Sequence, residues 1–542
     1  MSHAQALTRS AAVLVLTAMI GCVGDMPPPP EIRVTSPERG KLRGETSRVT
    51  VQGTTAPAAN GDRVVKVSVN KTPATLAADG SFTATVDLPP GAVLLETTAY
   101  TDAGGAATDA RAVQVGELRP AGTKIEKAVT AALSADAFAK LSAAAGPLIE
   151  SADIASLLDP TKPIADLGDD NANLELSITT VSLRKPKITL TPVDGGLDFT
   201  AEIGPLSFAA KAAYGGLFVI DGSTTVSVNA DKLTISGKLV VTPAGTSGFT
   251  TKIMSPSVRT TNLKLNASGL AGRVLTLMND NLGSTVQTVV QKGAELALTP
   301  LLNTALGALG AERTFDVLGK QLRIQASPAA IAFSRDGALV SINLQATLGA
   351  SNASYIYTPN GTPAISVTSG IQLALADDLL NQMLAEVHAM GLLDIHYQDD
   401  FGLFDTVDIK LAMPPMISAN NTDGSMRLVL GDMIAQFSDK GKLVIGAAVN
   451  ASVDLEVERG TKDEELALQF GKIHVFVNIT DDANDIMNGD LTGAANAGIA
   501  LQLESLSQFL VSVPLPAVAG VKLDNLAMHA DSGYVVVSGN VH

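Results

Sequence analysis

The sequence predicts an α+β protein that consists of an N-terminal β-sandwich and a larger body of antiparallel sheets and helices. The chain has 542 residues, well above the ~100 to 200 residues of a single domain. Apolar positions alternate with period two in many short stretches and change to helical spacing in a few longer ones. Hydrophobic residues make up 46% of the chain and charged residues 17%, which excludes a largely disordered protein.

The charge balance argues against nucleic acid as a partner. Asp and Glu number 54 against 38 Lys and Arg, so the formal net charge is −16. An acidic protein repels phosphate backbones and gains little from counterion release.

An export signal is predicted at the N-terminus. Residues 11–21 are almost all apolar and follow Arg9, but about 11 residues are too few to span ~30 Å of hydrocarbon. Met19–Cys22 is similar to a bacterial lipobox, in which the peptide is cut before a cysteine that carries lipid. The likeness implies a signal peptide at residues 1–21, lipidation of Cys22 and anchoring in the bacterial cell envelope, on the periplasmic or cell-surface side.

A proline run follows the cysteine, at residues 27–30. Consecutive prolines favour the extended polyproline II conformation, which has no internal hydrogen bonds. We therefore expect residues 22–30 to be a tether that spaces the body from the membrane.

Residues 31–116 have the pattern of a β-sandwich. Short alternating stretches are separated by turn residues, among them Asp79-Gly80, which favours a tight hairpin. The end of the segment, Thr98–Gly105 followed by Arg111–Val115, resembles bacterial immunoglobulin-like modules. The resemblance implies an Ig-like domain that serves as a spacer or as an adhesive unit.

The apolar period changes at residues 117–122, where Pro120 and Gly122 interrupt the chain. We expect a domain boundary there, with separate cores on either side, so that the body folds without the Ig-like module. The apolar residues that follow are mostly three or four apart and predict an amphipathic helix: Ile125, Val129, Leu133 and Leu141.

The remaining chain repeats one order of elements. Strands are predicted between residues 174 and 235, followed by a helix at Gly269–Leu309. The order then recurs as strands near 319–373, a helix at Asp377–Met390, strands at 407–479, a helical run near 494–511 and final strands at 518–541. Two similar halves are therefore predicted, residues 122–320 and 321–542. Both would present apolar faces, which a solid core and a lined cavity have in common; periodicity alone favours the solid core.

Three ordered stretches of the second half resemble the carboxy-terminal half of the bactericidal/permeability-increasing and lipid-transfer protein family, the tubular lipid-binding superfamily. These stretches are Asp378–Ile395, Val513–Leu523 and Tyr534–Val541. The first half is similar less sharply, through Val181–Leu190, Leu233–Leu239 and the long helix from Gly272. The resemblance covers about 420 residues from Gly122 onward.

The resemblance implies a boomerang of two barrels, each a highly twisted antiparallel sheet wrapped on long helices, joined by a central sheet. Each barrel of the family can hold acyl chains in an apolar pocket. By this likeness, helices near Thr123 and Gly272 line the first pocket, and helices near Asp377 and Gly493 line the second. The implied lipid-binding residues are Val129, Leu133, Leu275, Leu282, Val286, Leu380, Met383, Leu384 and Val387.

Three features depart from the family. Its antibacterial members bind the acidic head of lipopolysaccharide through basic loops at the tip of the first barrel, whereas the matching hairpin here, Ala212–Phe218, has no cation. Local positive charge remains at Arg184–Lys187. The family's disulfide cannot form, because Cys22 is the only cysteine. Glycines also interrupt the last helical region, at Gly489, Gly493 and Gly498.

No enzyme activity is expected. The sequence contains neither a Gly-x-Ser-x-Gly elbow nor a Gly-x-x-x-x-Gly-Lys-Ser/Thr loop. Its histidines lack the His-x-x-x-His spacing of a zinc pair, and residues 481–490 lack the register of a calcium loop. We therefore predict no catalytic residues, no metal ligands and no cofactor.

The sequence favours an exported lipoprotein that binds or transfers lipids through apolar pockets between helices and sheets. Its expected partners are lipids or other acyl-chain ligands, and a membrane through the N-terminal anchor. The alternative is a cell-surface adhesion or scaffold protein with a filled core and no bound lipid.

Overall fold

The computed structural model describes most of the chain between the predicted tether and the C-terminus. The described residues are 27–41, 47–140, 142–143, 163, 165–217, 219–245, 248–268, 272–281, 312–317, 320–349, 352–398, 405–419, 425–459, 465–482, 513–514 and 523–541. The predicted signal peptide, Cys22, Leu282, Val286 and the predicted helical run near 494–511 lie outside these ranges.

Strands dominate the described residues, so the prediction of an α+β protein with sheets wrapped on long helices is wrong. The helical residues described are 135–140, 142–143, 272–281 and the helix Asp377–Ala389. The described part of the chain is therefore a mainly β structure, in which strands rather than helices supply most of the buried apolar faces.

The N-terminal module is a β-sandwich, as predicted. Its strands are β1 (Glu31–Ser36), β2 (Arg48–Ala56), β3 (Val64–Val69), β4 (Thr72–Pro73), β5 (Thr75–Leu76), β6 (Ser81–Asp87), β7 (Gly91–Thr101) and β8 (Ala106–Val115). They form two four-stranded sheets, in the orders β1-β2-β6-β5 and β4-β3-β7-β8. Alternating apolar side chains of both sheets meet in one core, in which Val49, Val51 and Val113 are fully buried.

Two antiparallel sheets make up most of the first half. The strands that follow along the chain are β9 (Glu117–Pro120), β10 (Ile125–Ser134), β11 (Ala165–Asp169), β12 (Ala172–Leu183), β13 (Lys187–Val193), β14 (Gly196–Ile203), β15 (Leu206–Gly215), β16 (Gly222–Ala230), β17 (Lys232–Pro243), β18 (Phe249–Thr261) and β19 (Lys264–Asn266). One sheet has the order β11-β12-β15-β16-β19 and the other β13-β14-β17-β18. Phe199 and Phe208 are buried in the larger of the two apolar clusters.

A seven-stranded antiparallel sheet joins the two halves. The remaining strands are β20 (Arg313–Val317), β21 (Lys320–Ser334), β22 (Gly337–Thr347), β23 (Ser354–Tyr357), β24 (Ile371–Ala376), β25 (Ile395–Gln398), β26 (Thr406–Leu411), β27 (Met416–Ser418), β28 (Met426–Asp439), β29 (Lys442–Arg459), β30 (Glu465–Asp482), β31 (Val513–Pro514), β32 (Leu523–Asp531) and β33 (Tyr534–Val541). The central sheet has the order β20-β21-β22-β10-β24-β33-β32, and β9 pairs with β23. The outer sheet of the second half has the order β25-β26-β28-β29-β30-β31.

The first predicted helix, from Ile125 to Leu141, is wrong. Ile125–Ser134 form strand β10, and described helical residues begin only at 135. Spacings of four residues fit a strand as well as a helix, because four is a multiple of two, and Val129 and Leu133 share one face of β10. In addition, a β-bulge near Lys127, whose φ is 49°, shifts the register against β22 just after Ile125. Ile125 and Ala128 therefore face the same core although they are three apart. Antiparallel partners on both sides, β22 and β24, override the helix preference of the alanines.

The helix Asp377–Ala389, here called the Asp377 helix, confirms the helix predicted at Asp377–Met390. Its last residue is Ala389, and Gly391 two residues later has a φ of 67°, in the left-handed region that favours glycine. The Gly391 N–H donates to the His388 carbonyl at 2.9 Å. This glycine therefore caps the C-terminus of the helix.

The N-terminal module packs on the outer face of the second-half sheet through buried polar contacts. Arg39 reaches Asp432 in β28 (Nη1 to Oδ1, 3.0 Å) and Asp109 in β8 (Nη2 to Oδ1, 2.7 Å). Asn450 in β29 donates from Nδ2 to Asp432 Oδ1 at 3.1 Å. That the body folds without this module stays a prediction, and these contacts identify the polar groups that separation would leave without their partners.

Candidate functional site

The Asp377 helix lies within the large apolar core of the second half. Four of the residues predicted to line a lipid pocket are on this helix: Leu380, Met383, Leu384 and Val387. Their exposed fractions range from 0% to 7%, and they pack in one cluster with side chains of the central sheet and of β26, β28 and β29. The structure thus brings these four residues together inside a packed core.

Strand β29 separates an apolar face from a polar face, as its period-two pattern predicts. The side chains of Val449, Ala451 and Val453 are at most 5% exposed and belong to the core. Between them, Asn450 donates to the carbonyl of Ala110 in the N-terminal module at 3.0 Å. The inner face of this sheet therefore builds the core, while its outer face contacts the module.

The core of the second half continues outward into a rim of half-buried apolar side chains. The rim residues are Ile324, Leu344, Ile365, Leu375, Met390, Leu392, Val407, Ile409, Phe470, Val475, Val477, Ile479 and Met528. Three of them, Val475, Val477 and Ile479, alternate along the inner face of β30. When an apolar ligand covers accessible apolar surface of a protein, the free energy of binding becomes more favourable by about 25 cal/mol per Å² covered. The rim is thus a surface that an acyl chain could contact.

The first-half candidates do not lie on one surface. Val129 and Leu133 are half-buried on β10 of the central sheet, where Leu133 packs against the core that includes β14 and β17. Leu275 is half-buried on the helical residues near the five-stranded sheet. The buried face of that helical segment is formed instead by Val274 and Met278, four residues apart. Sequence periodicity therefore predicted this helical segment correctly but assigned Leu275, rather than the preceding residue Val274, to its buried face.

The loop between β15 and β16 is apolar where it is most exposed. Leu217 is 78% exposed and Ile220 is 91% exposed. The exposed cations Arg184, Lys185 and Lys187 lie instead at the hairpin between β12 and β13. Among the residues described in this loop, no cation is available to bind an acidic head group.

A cleft of about 570 Å³ separates the N-terminal module from the outer face of the second-half sheet. Pro89 and Glu96 line it on the module side, and Phe476 lines it from β30. Arg427 and Asp454 on the same sheet also line the cleft and form an ion pair, with Nε and Oδ1 3.2 Å apart. This mixed lining distinguishes the cleft from the apolar rim.

Within the described ranges, the structure shows no cluster of three or more His, Cys, Asp or Glu side chains arranged to hold a metal ion. No helix in the described part of the chain is long and apolar enough to cross a membrane.

Comparison with known proteins supports the N-terminal assignment. Residues 30–116 match the family model of glucodextranase, domain B, in agreement with an Ig-like sandwich. Comparison with curated protein sequences finds no match. Among solved structures, a lipopolysaccharide binding protein is similar with a TM-score of 0.41 and 15% identity, covering 77% of this chain and 99% of that chain. P47 of Clostridium botulinum E1 is similar with a TM-score of 0.24 and 9% identity, covering 78% of this chain and 100% of that chain.

Proposed function

We propose that this protein is an exported lipoprotein that binds or transfers lipids through the apolar surface of its body. The observation that carries the proposal is the apolar rim of the second half, where a buried core continues into half-buried side chains on β26 and β30. The sequence resemblance to the tubular lipid-binding superfamily supports the same function. The ligand would be an acyl chain rather than an acidic head group.

The energy available from apolar contact is sufficient for this function. Each CH₂ group moved from water to an apolar surface gains about 0.8 kcal/mol, so a 16-carbon chain gains roughly ten kcal/mol or more before ordering costs. The protein need not cover the whole acyl chain. Burial of half of the acyl chain would still contribute a binding free energy of roughly 5 kcal/mol, which corresponds to a Kd in the millimolar to micromolar range.

The burial of the Asp377 helix favours a second candidate function. Leu384 and Val387 have no exposed surface, as expected for the filled core of an adhesion or scaffold protein. In that case the cleft beside the N-terminal module would be the recognition surface. The two candidates differ in whether the rim binds lipid.

Val477→Trp is the variant that separates them. If an acyl chain lies along β30, the larger ring displaces about two CH₂ groups and lowers affinity for a fluorescent fatty acid roughly 15-fold. The free energy of unfolding should change by less than about 1 kcal/mol, because the side chain is only half-buried. Titration of the purified protein and urea unfolding measure the two quantities in parallel.

Val65→Trp is the matched control, since it is the same substitution at a valine that is 59% exposed on β3 of the N-terminal module and outside the core cluster of the second half. It should leave lipid affinity unchanged. Native mass spectrometry of the wild type would show directly whether lipid copurifies. A wild type without bound lipid, together with a Val477→Trp variant destabilised by the roughly 1–3 kcal/mol typical of overpacking, would contradict lipid binding and favour the scaffold.

Cys22→Ser tests the proposed anchor. Cys22 is the only cysteine in the chain, so under the proposal the variant should lose fatty-acid labelling and move from the membrane fraction to the soluble fraction. Fractionation with labelled fatty acid measures both. A wild type without label, or a variant that stays in the membrane pellet, would refute lipidation at Cys22.

A further inference from the structure

Strand β7 extends beyond one of its two neighbouring strands. It pairs with β8 along residues 91–100. On its other side, β3 pairs only with residues 97–101, because the chain turns away after Val69 into β4. Among the described residues, no strand therefore lies on that side of residues 91–95, a segment here called the overhang.

The backbone groups of Ala92 and Leu94 point toward this unpaired side. The Glu96 N–H donates to Asn70 Oδ1 at 2.9 Å, and the Glu96 carbonyl accepts the Asn70 N–H at 3.0 Å, so both groups of Glu96 face away from β8. In an antiparallel ladder, alternate residues direct their N–H and C=O groups to the same side, and the register of β7 against β8 is regular through the overhang. Ala92 and Leu94 therefore present two donors and two acceptors along an open edge.

The overhang forms one wall of the cleft between the N-terminal module and the second-half sheet. Ala92, Leu94 and Glu96 line the cleft from the module. Ser452 of β29 and Phe476 of β30 line it from the outer face of the second-half sheet. The cleft volume of about 570 Å³ lies within the ~300–1,000 Å³ that is usual for ligand pockets.

Hydrogen bonds between the module and the second half fix the position of the overhang. In β8, the strand that pairs with the overhang, the Ala110 N–H donates to Asn478 Oδ1 at 3.1 Å. Gln114 of the same strand donates from Nε2 to the Pro414 carbonyl at 2.6 Å. The strand that follows the module, β9, pairs with β23 of the second half. The open edge is thus held beside the outer face of the second-half sheet, with the cleft between them.

We propose that the cleft binds an extended polypeptide segment of a partner protein, which adds to the overhang as a further strand. An unpaired sheet edge is a template for pairing with another chain. In strand addition, main-chain hydrogen bonds supply the affinity and the surrounding side chains supply the specificity. From Ala92 to Glu96 the edge is about 13 Å long at ~3.3 Å per residue, so about four or five residues of the segment would pair. The proposal does not depend on lipid binding at the rim.

The lining of the cleft specifies the chemistry of the segment. Glu96 is exposed, and its carboxylate has no ion pair within the described part of the chain. A Lys or Arg of the segment beside Glu96 is therefore favoured, and the net charge of −16 also attracts a basic segment. Phe476 and Val429 offer apolar contact, whereas the charges of Arg427 and Asp454 disfavour an acyl chain in the cleft. A segment in which apolar and basic residues alternate fits this lining.

Fluorescence anisotropy with a labelled peptide and the full chain tests the site. The probe is a fluorescein-labelled heptapeptide in which valine and lysine alternate. The control peptide has the same side chains and charge, but every amide nitrogen is methylated, which removes the donors that strand addition requires. We expect the probe to saturate at one per chain and the methylated peptide to bind at least about tenfold more weakly. Equal affinity of the two peptides, or no binding of the probe up to about 1 mM, would overturn the proposal.

Leu94→Pro removes one donor from the open edge. Proline is tolerated in a strand where its nitrogen points away from the ladder, so pairing with β8 should persist. Leu94→Ala is the matched control, because it shortens the same side chain but keeps the N–H. The proline variant should bind the probe at least about fivefold more weakly than the alanine variant, and circular dichroism checks that both are folded. Equal affinity of the two folded variants would refute strand addition at the overhang.

Hydrogen exchange, measured by mass spectrometry on the wild-type full chain, keeps the test decisive if the proline variant does not fold. Without the probe, the amides of Ala92 and Leu94 should exchange faster than those of Val93 and Leu95, which point toward β8. Saturation with the probe should slow the exchange of Ala92 and Leu94. Amides of Ala92 and Leu94 that are protected before the probe is added, or that exchange equally fast after it has bound, would contradict the proposal.

Discussion

Asp432→Ala is expected to lower the free energy of unfolding by about 3–5 kcal/mol, the range found when one partner of a buried ion pair is removed. The Asp432 side chain is fully buried and the Arg39 side chain is 15% exposed. The variant would leave the Arg39 guanidinium with Asp109 and the Ala110 carbonyl as partners, and it would remove the acceptor of the Gly40 N–H at 2.9 Å. It would also place alanine at a φ of 43°, a region that favours Gly, Asn and Asp. Urea unfolding followed by circular dichroism measures the loss.

Asp432→Asn separates the charge from the backbone effect, because asparagine tolerates the same φ and keeps an acceptor oxygen. Its loss should be smaller than that of alanine. A double-mutant cycle with Arg39→Ala should give a coupling energy of about 0.5–3 kcal/mol, and it should be insensitive to salt because the pair is buried. Asp87→Ala is the exposed control, since Arg48 and Asp87 are both more than 70% exposed. A cycle with no coupling would show that this network does not hold the module on the body.

The periodicity of apolar residues predicted those strands and helices whose tertiary packing buries the same face that the periodicity makes apolar. The alternation in β29 and the β-sandwich of residues 31–116 were both evident from period-two spacing. The Asp377 helix was evident from its periodicity together with Gly391. In each case the side chains that share a face in the isolated element also share a core in the fold.

Other features depend on contacts that local spacing does not encode. In strand β10, the four-residue spacing of Val129 and Leu133 fits a helix as well as a strand, and only the pairing with β22 and β24 selects the strand. Arg39 and Asp432 are 393 positions apart in the sequence. In the sequence, Asp377-Asp378 is an acidic pair of the kind that commonly begins a helix, and its burial is evident only once β23 and the turn between β32 and β33 are placed around it.

Leu384→Ala is expected to lower the free energy of unfolding by about 2–5 kcal/mol. Leu384 is fully buried at the centre of the Asp377 helix and belongs to the large core cluster. Alanine has at least the helix propensity of leucine, so the loss would report the lost packing and the cavity rather than helix formation. Leu384→Met, which nearly conserves volume, should cost less than about 1.5 kcal/mol.

Comparing Leu384→Ala with the same substitution at a rim residue tests whether the Asp377 helix packs in a solid core or borders a lipid cavity. Leu392 is half-buried and packs against the same core from its edge, so Leu392→Ala should cost clearly less than Leu384→Ala in the same urea unfolding experiment. If both variants lost similar small amounts, below about 1 kcal/mol, the face of the helix at Leu384 would border a guest or solvent rather than packed side chains. A larger loss for Leu384→Ala than for Leu392→Ala, which we expect, would assign the Asp377 helix to the solid core. The rim on β26 and β30 would then be the surface where a lipid binds.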